Sequence, residues 1–315
     1  MILSKRKVLA GKIETVEGVA EVLTATEATM IAMDVKWTPD IKMLSRNAAL
    51  NTLSKLPQLP GLALAHISFK TELIGREAGS TLSTTVRPYI DPYLRACGLA
   101  PAFTTGGTNT ISYSPASTGV PTITTGVYVD GVLKKISGAR GTVKFSGVVG
   151  EPIYAEFDFM GAYNPLADAT QLIPTVSFLA PPLLHSANLM IGSFSPVVKS
   201  VSFDIGNKLA PREDVNSTSG YKSFMITDRD PTGQFDAEME TVATHNWYGL
   251  WKAGTSAWLT MGPVGTATSN KLSISAPAIV TTKTSEGDRE GLEIADTTFQ
   301  MSMSSGDDEF NLTFS

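Results

Sequence analysis

Three histidines, one cysteine and two dense runs of charge are where this 315-residue chain could gather side chains for chemistry. His66, His185 and His245 lie far apart. None has the His-x-x-x-His or Glu-x-x-His spacing that would put two metal ligands on one helix face, so surface or structural roles are expected. Cys97 stands alone, which excludes an intrachain disulfide and a cysteine-based zinc site. Its apolar surroundings suit an inert core thiol better than a nucleophile. "GREAGST" and "GSFSP" lack the lysine and the flanking strand and long helix of a phosphate-cradling loop, and no GxSxG elbow occurs. "TDRDPTG" (Thr227 to Gly233) and "SEGDREG" (Ser285 to Gly291) crowd carboxylates together, but arginine sits among them and no EF-hand loop is present. Solvated turns or intersubunit ion pairs are expected there. Lys134, Lys135, Arg140 and Lys144 form a basic cluster with only Tyr128 and Phe145 nearby to stack on a base, which suits a charged strand face. No catalytic residue, cofactor or metal is assigned, and the chain is read as not an enzyme.

The elements that would carry these residues are mostly strands. The 27 glycines and 18 prolines point to many turns between short strands, and 17% charge with 42% hydrophobic residues suits a globular chain. "AHISFKTEL" (Ala65 to Leu73) alternates Ile67, Phe69, Thr71 and Leu73 against Ser68, Lys70 and Glu72, as a half-buried strand does. "TMIAMDVKWT" is a strand ended by Pro39-Asp40. Asp130-Gly131 marks a tight hairpin, and "GTVKFSG" and "PIYAEFDF" add two strands. Between Pro101 and Gly126 the sequence is rich in Thr, Ser and Gly, as an exposed loop or long hairpin would be. "RPYIDPYLRACG" (Arg87 to Gly98) and "HNWYGLWKAG" (His245 to Gly254) interrupt the strands with short helical patches.

The length suits two domains of ~150 residues. Residues 162–184 carry four prolines and one charge and form the expected boundary. The order of the first half then recurs. "SVSFDIGNKL" matches the Met33 to Trp37 strand, "QFDAEMETV" matches "HISFKTELI", and the two helical patches match each other. "AWLTMGP" pairs with "NTISYSP", "LEIADTTFQMSM" with the strand at "GTVKFSG", and "EFNLTFS" with "YAEFDFM". Leu94 and Leu250, and Gly98 and Gly254, are both 156 residues apart. A duplicated domain is the expected cause.

Charge is uneven. Residues 1–165 carry 16 Lys+Arg against 13 Asp+Glu, and residues 166–315 carry 9 against 17. An acidic second half argues against tight phosphate binding. Lys5, Arg6 and Lys7 precede no apolar stretch, and no run of ~18 apolar residues exists, so no membrane anchor is expected and synthesis is expected to be cytoplasmic. The sequons at Asn216 and Asn311 are then expected to carry no glycan.

Taken in order, "GKIETVEGVAEVLTATEATMIAMDVKW", "SFKTELIG", "PYLRACGLA", "VYVDGVLKKISGARGTVKFSGVVGEPIYAEFDFMGAY", "VSFDIGNKL", "ITDRDPTGQFDAE", "KAGTSAWLTM" and "GDREG" resemble a major tail tube protein of a long-tailed (siphovirus-like) bacteriophage, of the larger two-domain type. "TVEG" departs from the aromatic-Gly that the family more often has, which leaves the conformation of the N-terminal arm open. The resemblance implies an all-β fold with short helices: two tandem β-sandwich or barrel domains that contribute to a ring-closed β-barrel lumen. The first would span residues 1–165 with the N-terminal arm, 166–184 the linker, and 185–315 the second. The implied role is a virion protein that self-assembles in the host cytoplasm into stacked rings of the tail, the conduit for DNA ejection. Its implied partners are itself, as a trimeric pseudo-hexamer or alternatively a hexamer, tape-measure protein, tail terminator and distal tail proteins. Double-stranded DNA would pass through an acidic or neutral lumen without sequence-specific binding. Inter-ring contacts are expected from the arm at residues 1–27 and the loops at 74–87 and 101–126, with mobile surface loops as the alternative. The candidate contact residues are Arg76, Glu77, Ser80, Thr81, Arg87, Thr104, Thr108, Asp228, Arg229 and Asp230. A β-sandwich adhesin or decoration protein, or the tube of a contractile or gene-transfer particle, remains open at this stage.

Overall fold

In the computed structural model of the chain, residues 2–77, 80–174 and 176–315 are described. Ala78 and Gly79, within the expected contact loop, and Thr175, within the expected linker, lie outside the described residues, as does Met1.

Alternation of apolar and polar residues builds strands throughout, because a period of two puts one set of side chains on each face. The first half runs β1 (Lys7–Ile13), β2 (Met33–Leu44), β3 (Leu59–Glu72), helix α1 (Asp91–Ala96), β4 (Leu99–Thr104), β5 (Thr110–Pro115), β6 (Ile123–Val129), β7 (Val132–Val148), β8 (Tyr154–Tyr163) and β9 (Ala167–Asp168). The second runs β10 (Met190–Ile191), β11 (Val198–Asp204), β12 (Asn207–Glu213), β13 (Tyr221–Arg229), β14 (Thr232–Glu238), helix α2 (Trp247–Ala253), β15 (Ser256–Val264), β16 (Leu272–Arg289), β17 (Leu292–Ser302) and β18 (Asn311–Phe314).

A continuous antiparallel path, β2-β3-β8-β7-β11-β14-β17-β16, crosses both halves. The seam between them is β7 against β11, with Lys144 opposite Asp204, Phe145 opposite Phe203 and Ser146 opposite Ser202. Beyond this path β6 lies on the first part of β7 and β1 on β6, while β15 lies on the first part of β16 and β10 on β15. The strand β18 pairs with β16 and then with β5, and β12–β13 stands apart as a two-stranded hairpin. Among the described residues the chain forms one large antiparallel sheet with two short helices, and it closes no barrel by itself.

The pairing order revises the strand matches read from sequence. Neighbours on the sheet align β17 with β8, β16 with β7 and β15 with β6. "LEIADTTFQMSM" therefore stands in the place of β8, and "AWLTMGP" in the place of β6. "EFNLTFS" forms β18, which lies on the start of β16 as β9 lies on the start of β7. The cause is the extra β4–β5 hairpin of the first half, which breaks the constant spacing downstream of the helices.

Parts of two segments expected to reach outward pack on the sheet of the same chain. Residues 1–27 contribute β1 and the buried carboxylate of Glu14, while Val16, Val19 and Val22 are exposed. The Thr- and Gly-rich stretch from Pro101 to Gly126 is a hairpin and a strand, with Ile111, Tyr113 and Ile123 in the core and exposed residues at Ala102, around the hairpin tip and at Ser117 to Gly119. Its alternation hides a few large apolar residues among many hydroxyls, and those few suffice to hold the hairpin down.

Candidate functional site

Each half sets a helix-borne aromatic on the inner face of the long sheet. Tyr93 of α1 lies 5.1 Å from Phe69, which stacks at 5.0 Å on Phe157, and Trp247 of α2 lies 5.5 Å from Phe235, which is 5.5 Å from Phe299. Burial of these rings fixes which face of every strand points inward, at a gain of roughly 25 cal/mol for each Å² of apolar surface covered. Phe145, Phe203 and Phe310 continue the same layer across the seam, with Phe145 and Phe310 stacked at 5.3 Å.

The opposite face is mostly polar, except where Leu64, Met160 and Ala162 pack under Tyr221 and Phe224 of the β12–β13 hairpin. On the first half it presents Asp34, Lys36, His66, Lys70, Lys144, Glu156 and Asp158, and on the second Asp204, Gln234, Asp236, Glu238, Asp296, Gln300 and Arg289. Many of these charges are paired across strands. His66 Nδ1 lies 3.6 Å from Asp158, Lys70 Nζ lies 3.5 Å from Glu156, and Arg289 reaches Glu238 at 2.7 Å and Asp236 at 3.6 Å. The hydrogen bond with Asp158 raises the His66 pKa against the opposing effect of burial. Carboxylates outnumber cations on this face, so it carries net negative charge.

The residues singled out in the loops fall into two groups. In the first, Arg76 donates its backbone N–H to Ser269 O at 2.7 Å, sets its guanidinium over the Tyr89 ring at 3.9 Å and donates from Nε to Arg87 O. Glu77 accepts from the Tyr89 hydroxyl, which holds its carboxyl below the usual range. Ser80 O accepts from the Ser269 hydroxyl, and Arg87 binds Thr84 O at 2.7 Å and Asp91 at 3.3 Å. This segment thus crosses to the second half of its own chain. Asp228 takes Lys208 at 2.7 Å, Asp230 takes Gln300 at 3.3 Å, and Arg229 clasps Asp307 at 3.1 Å and Glu309 at 2.8 Å. The second group, Thr81, Thr104 and Thr108, is exposed, and Thr104 closes β4 opposite Thr110.

Residues that spacing could not single out hold the halves and the arm together. Glu14 accepts four hydrogen bonds, from Thr122 Oγ1 at 2.6 Å, Thr124 Oγ1 at 2.7 Å, Gly138 N at 2.7 Å and Gly18 N at 2.8 Å. Glu17 accepts from Ser223 at 2.7 Å and Arg212 at 2.9 Å and lies 3.5 Å from the buried Arg140. The bond from Ser223, together with the two arginines, holds its carboxyl below the usual range. The basic cluster is accordingly dispersed, since Arg140 is buried and Lys144 lies on the polar face. Burial pushes the Cys97 thiol up and the His245 imidazole down, and the latter stacks on Phe194 at 4.0 Å. Among the described residues no group of His, Cys, Asp and Glu is arranged to hold a metal, and no helix is long and apolar enough to cross a membrane.

What this arrangement offers is surface: a largely polar sheet face, open strand edges such as that of β2, and exposed loop tips. A family model described as phage tail tube protein matches residues 4–301, whereas no curated protein matches the chain. The chain belongs to the phage tail tube protein family, whose members are structural, non-enzymatic proteins of the virion tail.

Proposed function

We propose that the chain assembles into stacked rings in which three copies supply six similar tube units, the two units of each chain being residues 1–165 and 185–315 joined by 166–184. The observation that carries this reading is the repeated sheet order: β2-β3-β8-β7 in the first half is followed by β11-β14-β17-β16 in the second. Each series has its helix on the inner face and its polar residues on the other. Six such series in a ring would make a continuous cylinder of strands, which removes the free edges that otherwise invite aggregation.

In that cylinder the polar face lines the lumen. Its excess of carboxylates repels the phosphate backbone, so double-stranded DNA passes without being held by counterion release. Tape-measure protein occupies the lumen before DNA, and terminator and distal tail proteins cap the ends. The exposed tips at Thr81, Thr104 and Thr108 are the candidates for contact between rings.

Negative-stain electron microscopy of the purified, concentrated protein tests the reading. Rings or tubes with three-fold symmetry and six lobes are expected. Rings of six chains would overturn the trimer, and a species that never associates, even on virions by immunogold labelling, would overturn the tube assignment.

A further inference from the structure

The seam inside the chain provides a pattern for a seam between chains. Facing residues align the two halves strand by strand. Ile67, Phe69 and Thr71 of β3 lie opposite Phe159, Phe157 and Ala155, and Gly233, Phe235 and Ala237 of β14 lie opposite Phe299, Thr297 and Ala295. Continuing outward, Trp37 faces Ile67 as Phe203 faces Gly233, so β2 is the counterpart of β11. On the other side Val143 faces Phe157 as Thr284 faces Thr297, so β16 is the counterpart of β7. The strands β7 and β11 pair at the seam, while β2 ends the sheet and β16 runs past the strands β15 and β18 that lie on its first part.

Among the described residues, the stretch Thr281–Arg289 of β16 pairs only with β17 and β2 pairs only with β3, so each has an open side. We infer that Ser285–Arg289 pairs antiparallel with Asp34–Thr38 of a second copy of this chain, in the register that Lys144–Val148 and Ser200–Asp204 make within it. The inference rests on the tube reading and adds its partner strands and register.

Side chains across the joint are compatible with that register. Asp34 falls opposite Arg289, and opposite charges facing each other across a strand pair are favourable. Lys36 falls opposite Gly287, which leaves room for its long chain. Trp37 falls opposite Glu286 on the inner face. The Trp37 indole Nε1–H is buried without a hydrogen-bond partner among the described residues, and a facing carboxylate supplies an acceptor on that side. A head-to-tail joint of this kind uses two different edges on each copy, so it repeats around a ring.

Paired cysteines test the register on assembled protein. Directly facing residues have Cα atoms about 4.5–5.5 Å apart, within disulfide reach, whereas diagonal neighbours at about 7–8 Å are not. In the variant with Thr38→Cys and Ser285→Cys, mild oxidation should link copies covalently up to a closed ring. The variant with Thr38→Cys and Lys283→Cys should link at least tenfold less. Cys97 is fully buried and does not compete. Hydrogen exchange on the unmodified protein gives a check free of substitutions, because amides in 34–38 and 285–289 should slow at least tenfold on assembly. Tubes that show no slowing there, or that link best through the shifted pair, would overturn the register and leave the tube reading intact. Protein that forms neither rings nor tubes, alone or on virions by immunogold labelling, would overturn both.

Discussion

At the scale of single residues, Glu14 decides how the N-terminus is held. Its carboxylate is almost fully buried and accepts from two threonine hydroxyls and two backbone amides on different segments. Replacing it with alanine removes charge-assisted bonds and leaves three buried donors and the part-buried Gly18 N unpaired, so Glu14→Ala should lower stability by about 3 kcal/mol. Urea unfolding at fixed protein concentration reads this as a shift in midpoint at unchanged slope. A shift under about 1 kcal/mol would show that water replaces the carboxylate, and that the arm is held mainly by β1 pairing with β6. Nothing local in "GKIETVEG" marks Glu14 as buried. Its partners Thr122, Thr124 and Gly138 lie over a hundred residues away, and one sequence read alone does not show which distant hydroxyls will meet a carboxylate. Cys97 was legible for the opposite reason, since its apolar neighbours in the chain are also its neighbours in space.

Elements were legible where local chemistry is strong. The Asp130-Gly131 hairpin appears as expected, with both residues at positive φ, 45° and 100°, as the twist of a two-residue hairpin demands. Its less recognisable relative joins β16 to β17 through Glu290 and Gly291 at φ 58° and 87°. Glutamate tolerates that region poorly and hid the hairpin inside what read as a charge cluster. Asparagine suits the position, so Glu290→Asn should raise stability by about 0.5 kcal/mol in the same urea assay. A loss of stability would mean that the Glu290 carboxylate does more for the fold than its backbone strain costs. Helix α2 shows the same rule. Asn246 caps it through Gly249 N at 2.8 Å and Gly254 ends it in the left-handed region, while the hydroxyl-rich β4–β5 hairpin, with weak alternation, was only half legible.

For the whole molecule, composition and repeated order pointed to the class of fold, but not to the path of the sheet. That path depends on which edges meet, and an edge carries little signature in sequence because its bonds come from the backbone. The inner aromatics fix which side of these strands faces the core, which leaves Ser202 and Gln300 on the polar side, the face proposed above to line the lumen. The negative charge of that side is a property of the wall as a whole, so it is best tested by changing the wall without changing its packing. Ser202→Lys and Gln300→Lys together add two cations per chain at positions outside the apolar core. Particles carrying both should assemble tails of normal length and eject DNA several-fold more slowly at low salt. The difference should shrink as added salt screens the wall, because each lysine that neutralises a phosphate makes binding depend more steeply on ionic strength. Ejection followed by dye fluorescence at two salt concentrations separates the outcomes. A slowing that ignores salt would indicate a steric block, and no slowing at either concentration would place this face outside the path of the DNA.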